Sequence, residues 1–435
     1  MSRRSAAALI LLIAAAATGC VPRGVQVPQS PLLSALERKS GMIAYIGRDG
    51  NVHVTDQSGR NPLALTDDAV LPEGEGDAYR VYHLPTWSPD SDSLAYVSLA
   101  GTESDASSEL LITTLDRPSL QKAYESSTEL PFYLYWSPDN ETVGFLSTSA
   151  TNQMQVLQTA AVGRPRQVID VGTDYFWSWA PDGRSAVIHA SDASMPNSPD
   201  RLGFLSLGER ISEFGLDLTA ARFQAPAWSP DGSHILVAAE AEDRSAELML
   251  LDSSGKLERS LNKLEASVAF AWSRDGQRLA YIVGDSPTEA GALGPLHVID
   301  LASGAEHSEE SEAMAFFWSP NGEELAYFIP QAAEDASSES AQDSPPLTLQ
   351  LNVLDVDSGE SRVLLTFQPS SRFAELLPYF DQFHQSMTIW SPDNRNLVLS
   401  FVDEGGLPGI AVVAASGSLQ PRYLAEGTLG VWSWR

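Results

Sequence analysis

From Met42 onward, short apolar runs alternate with polar, turn-rich stretches, and none of the apolar runs is long enough to cross a membrane. One set recurs as Leu94-Ala-Tyr-Val97, Val143-Gly-Phe-Leu146, Ala186-Val-Ile188, Ile235-Leu-Val237, Leu279-Ala-Tyr-Ile282, Leu325-Ala-Tyr-Phe328 and Leu397-Val-Leu399. Nearly continuous apolar runs of this length predict strands buried on both faces. A second set follows each of them, among them Glu109–Ile112, Glu247–Leu250, Leu296–Ile299 and Ile410–Val413, and predicts the next strand. Several of these end in Asp and a Ser-Gly turn, as at Asp357-Ser-Gly359.

Ahead of each first-set run stands a phrase of the form Trp-Ser-Pro-Asp, beginning at Trp87, Trp136, Trp179, Trp228, Trp272, Trp318 and Trp390, with a stub that ends in Trp434. The intervals are 49, 43, 49, 44, 46, 72 and 44 residues. Repetition at about 40 to 50 residues with several short strands per unit is the signature of propeller blades. The chain is therefore expected to be all-β, an eight-bladed β-propeller with seven blades as the alternative. Met42–Ile46, Asn51–Val54 and Pro62–Leu65 would supply three strands of a blade whose first strand is Leu429–Trp434, so that the two ends of the domain share one blade and close the ring.

Within the phrase, Pro presets φ for the first corner of a turn and Asp can hydrogen-bond the backbone ahead of it. The fifth position calls for a left-handed residue, supplied by Gly or Asn everywhere except Ser91, where a strained or different turn is expected. Trp is a flat group suited to the gap between packed sheets. These are structural duties, and a phrase repeated seven times is not a catalytic motif.

The phrase and its downstream strand resemble the TolB-like, PD40-type (WD40-like) propeller repeat family over about residues 42 to 435. The resemblance implies protein–protein work at the cell envelope, although such propellers also occur as accessory domains of peptidases.

The N-terminus adds an address. Arg3 and Arg4 precede an apolar run from Ala6 to Ala17 that is too short to span a bilayer, and Ala17-Thr-Gly-Cys20 closes it with small residues. This resembles the bacterial lipobox, in which the cysteine is acylated; an uncleaved anchor or an ordinary signal peptide is the alternative. Residues 1–19 are read as a lipoprotein signal, 20–40 as the lipidated Cys20 and a proline-bearing tether, and 41–435 as the propeller. Cys20 is the only cysteine, so no intramolecular disulfide or cysteine-based metal site can form. Several acyl chains on Cys20 would hold the domain at a membrane surface, on the exported side.

The 57 acidic and 27 basic residues give a formal charge of −30, which disfavours nucleic acid and favours solubility or basic partners. Two loops concentrate carboxylates, Asp67–Asp77 and Gln331–Pro345 (Glu334, Asp335, Glu339 and Asp343), but neither follows the spacing of a calcium loop. The seven histidines lack metal-ligand spacing, there is no Gly-x-Ser-x-Gly elbow, and no cofactor is expected.

In an up-and-down blade the tight turns of the phrase share one face of the disc. The long segments, from Asp67–Tyr82, Ala100–Ser108 and Arg117–Pro131 through to Gln368–Met387, fall on the other. Variable loops on a rigid scaffold are where binding concentrates, which makes that face the candidate surface. Gln368–Met387 differs from the rest because Phe373, Tyr379, Phe380 and Phe383 gather there with Asp381 and His384, around a short helix interrupted by Pro378. It either caps the core or forms a partner-docking patch. The expected function is a non-catalytic, monomeric envelope scaffold that binds other proteins; an enzyme or a saccharide- or ion-binding protein acting at the central channel is the alternative.

Overall fold

A computed structural model describes residues 40–435 apart from 61, 75, 103–104, 117–118, 150–153, 192–199, 209, 222–223, 285–291 and 332–345. The signal, Cys20 and nearly all of the tether lie outside the described residues, as do Glu334, Asp335, Glu339 and Asp343.

The described chain is almost wholly antiparallel β-structure. Five four-stranded sheets follow one another, each opened by the strand that leads into a phrase: Tyr79–Trp87, Glu129–Trp136, Tyr175–Trp179, Ala227–Trp228 and Val268–Trp272. The sixth opens with Ala315–Trp318, and its outermost strand, Glu360–Pro369, continues into the next through the pairs Gln368↔Val402 and Pro369↔Phe401. The second strand of each sheet is buried throughout most of its length, as the continuous apolar runs require; Leu94, Tyr96, Ile235, Leu279 and Leu325 are fully enclosed. Two expected loops are instead largely strand. Ser93–Thr102 pairs with Asp105–Thr114 as far as Thr102↔Asp105, and Leu120–Ser126 and Glu129–Trp136 occupy most of the Arg117–Pro131 interval.

One long strand, Arg422–Trp432, serves two sheets. Its first half pairs with Pro408–Ala414 and its second half with Ile43–Gly47, from Gly47↔Gly427 to Ile43↔Trp432. The N-terminal strands thus attach to the C-terminal one, as their sequences suggested.

The indoles set the register between sheets. Trp136 donates its ring N–H to the carbonyl of Thr86, the residue before Trp87. Trp179 does the same to Tyr135, Trp272 to Ala227, Trp318 to Ala271 and Trp390 to Phe317. Trp87 donates to Val431, so the residue that fills the tryptophan position of the last phrase is Trp432, which is fully buried. Trp434 does not hold that position; it stands two places on, where six of the other seven phrases carry proline. Trp228 and Trp432 depart from the pattern: the Trp228 ring is turned against Phe204 at 5.4 Å, and Trp432 donates to the carbonyl of Ser40.

The serine of the phrase is the hub of the turn. Ser229 Oγ donates to Asp231 (2.6 Å) and accepts the N–H of His234 (2.9 Å), and Ser88, Ser273 and Ser391 repeat both bonds. These serines are essentially inaccessible to water. Ser91 adopts φ 68°, alongside Asn140 at 63° and Gly183 at 66°, so its turn has the same form as the others. A residue with a Cβ there bears the left-handed strain that glycine avoids.

Candidate functional site

The segment expected to be either a cap or a docking patch goes inward. Ser370 caps helix α1 (Ser371–Leu376) by accepting the N–H of Phe373, Pro378 opens a 3-10 turn at Leu377–Tyr379, and helix α2 (Phe380–Ser386) follows. The aromatic side chains that make this stretch conspicuous are spent on the interior. Phe373 packs edge-on against Phe328, Phe380 against Phe316 and Phe383 against Tyr133, with ring centroids 4.7–5.5 Å apart. Of the six residues proposed as a docking surface, Phe373, Phe380, Asp381 and Phe383 are buried and His384 is half-buried. Tyr379 alone is well exposed, at 45%.

Helix α2 is tied to the leading strands of successive sheets. Gln382 is the main bond: its Nε2 donates to Tyr133 Oη (2.8 Å) and to Trp177 O (3.0 Å), its Oε1 accepts the N–H of Trp177, and its carbonyl accepts the Tyr133 hydroxyl (2.8 Å). Gln385 donates to Pro226 O. His384 Nε2 accepts the N–H of Trp318 (3.2 Å), which requires the neutral ring with its proton on Nδ1. Burial, reinforced by the Arg274 charge, lowers this imidazole to about 4. Burial raises the Asp381 carboxyl to about 7, against the opposing pull of backbone N–H groups from Gln382 and Ala225.

Two cavities lie against α2. On the side of the phrase turns a space of about 300 Å³ is walled by the tryptophans and prolines of the repeats, with Arg274 and Trp434. On the other side a cavity of about 990 Å³ lies under Leu130, Phe132, Phe176 and Tyr379, with His83, Arg372 and Glu375 on its wall. Asp381 borders both.

The larger cavity is where the leading strands lose regularity. The Tyr79–Trp87 strand slips register between His83 and Thr86, and within the slip Leu84 takes φ 56°, a conformation that costs a bulky side chain free energy. The neighbouring Glu129–Trp136 strand slips between Pro131 and Tyr133, leaving Phe132 unpaired. His83, Leu84 and Phe132 all line the cavity. Enclosure and then the Arg372 charge lower His83 to about 4, while Arg372 itself binds Glu375 (3.0 Å).

The acidic Asp67–Asp77 loop is partly committed to local bonds. Asp68 accepts from Tyr82 Oη (2.5 Å) and lies 3.4 Å from Arg80, and Asp77 accepts the N–H of Gly74. Among the described residues no three His, Cys, Asp or Glu side chains converge in a metal-binding group. Sequence reasoning missed Gln382, Leu84 and Phe132, because a lone glutamine or a strand bulge leaves no pattern; Arg274 stood in plain view at a proline position.

No protein-family model matches the chain, and no curated protein matches it either. Solved structures do. A dihydro-heme d1 dehydrogenase, NirN, in complex with DHE is 15% identical, with 94% of this chain and 77% of that one covered and a TM-score of 0.53. A prolyl endopeptidase matches at 13% identity over 81% of this chain and 50% of its own, with a TM-score of 0.52. An oligogalacturonate lyase in complex with manganese matches at 14% identity over 87% and 98%, with a TM-score of 0.50. At such identities the likeness establishes a β-propeller fold and carries no activity with it.

Proposed function

We propose that this chain is a binding platform of the cell envelope, exported and held at a membrane surface through acylated Cys20, and that it recognises a protein partner at the larger cavity beside α2. The ring has eight blades, the last formed by the second half of Arg422–Trp432 with the three N-terminal strands. The observation that carries the reading is the coincidence of two neighbouring bulges, at Leu84 and Phe132, with one cavity. Bulges re-aim side chains next to functional sites, and backbone strain persists where surrounding structure is built to hold it.

The lining supports recognition. Leu130 and Tyr379 are exposed at its rim, at 40% and 45%, and offer apolar and aromatic surface for a partner side chain to dock against. Helix α2, bonded into the leading strands, gives the cavity a rigid floor, so little ordering cost attends binding. A partner captured from crosslinked envelopes by the intact protein should be held about tenfold or more weakly by a Phe132→Ala/Tyr379→Ala chain. Equal capture by both removes the cavity from the account.

The second reading, a saccharide-binding or catalytic role, draws on the same wall, where the rings of Phe132, Phe176 and Tyr379 stand with the amide of Gln155. Aromatic faces beside amide groups suit a sugar, and binding of oligosaccharides in the absence of any protein partner would favour it.

A further inference from the structure

Six phrases carry proline in third place: Pro89, Pro138, Pro181, Pro230, Pro320 and Pro392. The two remaining positions hold Arg274 and, by the register that Trp432 sets, Trp434. These two departures meet. The Arg274 guanidinium carbon stands 4.4 Å from the centre of the Trp434 ring, and both side chains line the 300 Å³ cavity on the turn side of α2.

Arg274 has unusual company for a chain with 57 acidic residues. Among the described residues no carboxylate lies within 4 Å of its guanidinium, and the charges felt there are cationic. The Arg435 charge acts against Arg274, and Arg274 in turn helps to keep His384 neutral. Asp381, the carboxyl on the cavity wall, lies beyond ion-pair distance and is itself held toward its neutral form. Arg274 is solvent-exposed, and one face of its guanidinium rests on the indole, which leaves the charge accessible to a ligand. The rest of the wall is flat and apolar, built from the tryptophan and proline rings of the repeats.

We infer that the turn-side cavity is a binding site for a small carboxylate on an apolar stem, the carboxylate paired to the Arg274 guanidinium and the stem packed among the Trp and Pro rings. The planar fork of arginine matches a carboxylate through two parallel hydrogen bonds, and Trp434 positions the fork from behind. The volume admits a group the size of one aromatic amino-acid side chain with its acid. Such a group is either a free organic acid or the C-terminal residue of a polypeptide, and the recognition chemistry is common to both. This site lies on the opposite side of α2 from the proposed partner cavity, so each can fail without the other.

Calorimetric titration of the full chain with phenylacetate, phenylacetamide and N-acetyl-phenylalanine tests it. Arg274→Pro restores the residue that six other turns carry and is expected to fold; Arg274→Gln serves if it does not. Phenylacetate should bind the native chain, and loss of either charge, in phenylacetamide or in Arg274→Pro, should weaken binding by about tenfold or more. Tighter binding of phenylacetate than of N-acetyl-phenylalanine assigns the site to free acids, and the reverse order assigns it to chain ends; either supports the site. Absence of binding by both acids, equal binding of acid and amide, or affinity unchanged by Arg274→Pro overturns it, and leaves the Arg274–Trp434 contact as a strut.

Discussion

Gln382 and Tyr133 hold each other by two hydrogen bonds, each 2.8 Å long: the tyrosine hydroxyl donates to the glutamine carbonyl and accepts from its side-chain amide. The two residues are 249 positions apart and buried, and Gln382 also satisfies both backbone groups of Trp177. One side chain thereby joins α2 to two neighbouring sheets.

Gln382→Ala leaves the N–H and C=O of Trp177 without their partner in a region closed to water. A loss of about 2–5 kcal/mol of stability is expected, and Tyr133→Phe, which keeps the ring, should cost about 1–2 kcal/mol. Urea unfolding of the two variants checks this. Values within about 0.5 kcal/mol of the native protein, the range of ordinary surface substitutions, would show that α2 is not anchored there.

Acidification should reveal two opposed titrations within one turn of α2. Asp381 titrates near 7 when folded against 3.8 as its ordinary value, so the folded chain holds a proton the unfolded chain releases. Its stabilising effect is complete below about 3.8 and is lost as pH rises through 7. His384 titrates near 4 against 6.5, so the unfolded chain takes up the proton first and stability falls as pH drops across that window; His83 acts in the same sense. Between pH 7 and 5 the stability of Asp381→Asn should therefore fall more steeply than that of the native chain, and that of His384→Gln less steeply. Urea midpoints at three pH values decide it, and three parallel curves would contradict the assignment.

Cys20→Ser should move the protein from the membrane pellet to the soluble fraction if acylation is its anchor, since one apolar stretch as short as Ala6–Ala17 does not span a bilayer. Fractionation followed by detection of the chain is sufficient. Unchanged membrane association of the serine variant would argue for an uncleaved N-terminal segment instead.

Much of the architecture was legible because it is said seven times. The apolar runs placed the second and third strands, and the left-handed position of the phrase was plain enough that Ser91 stood out as the exception. The exception proved to be chemical only: Ser91 takes the same φ as the asparagines. The choice between Trp432 and Trp434 was not legible, because Trp-Ser-Trp offers two frames and the contact of Trp87 with Val431 is what selects one. Pro181 resolves the same ambiguity at Trp177 and Trp179, and the last phrase has no proline to do so. The density of aromatics at Gln368–Met387 was equally visible, but local sequence carries no sign of whether Phe373, Phe380 and Phe383 face solvent or the interior. That depends on Phe328, Phe316 and Tyr133, far away in the chain.

Site-specific photo-crosslinking tests most directly whether recognition takes place at the cavity beside the two bulges. A photoreactive residue would be placed at Phe132, on the cavity wall, and separately at Phe214, which is 60% exposed on the outer strand Ile211–Gly215. Irradiation of cells should yield a discrete protein adduct from position 132 and none from position 214. Adducts of equal yield from both positions, or from position 214 alone, would contradict the account.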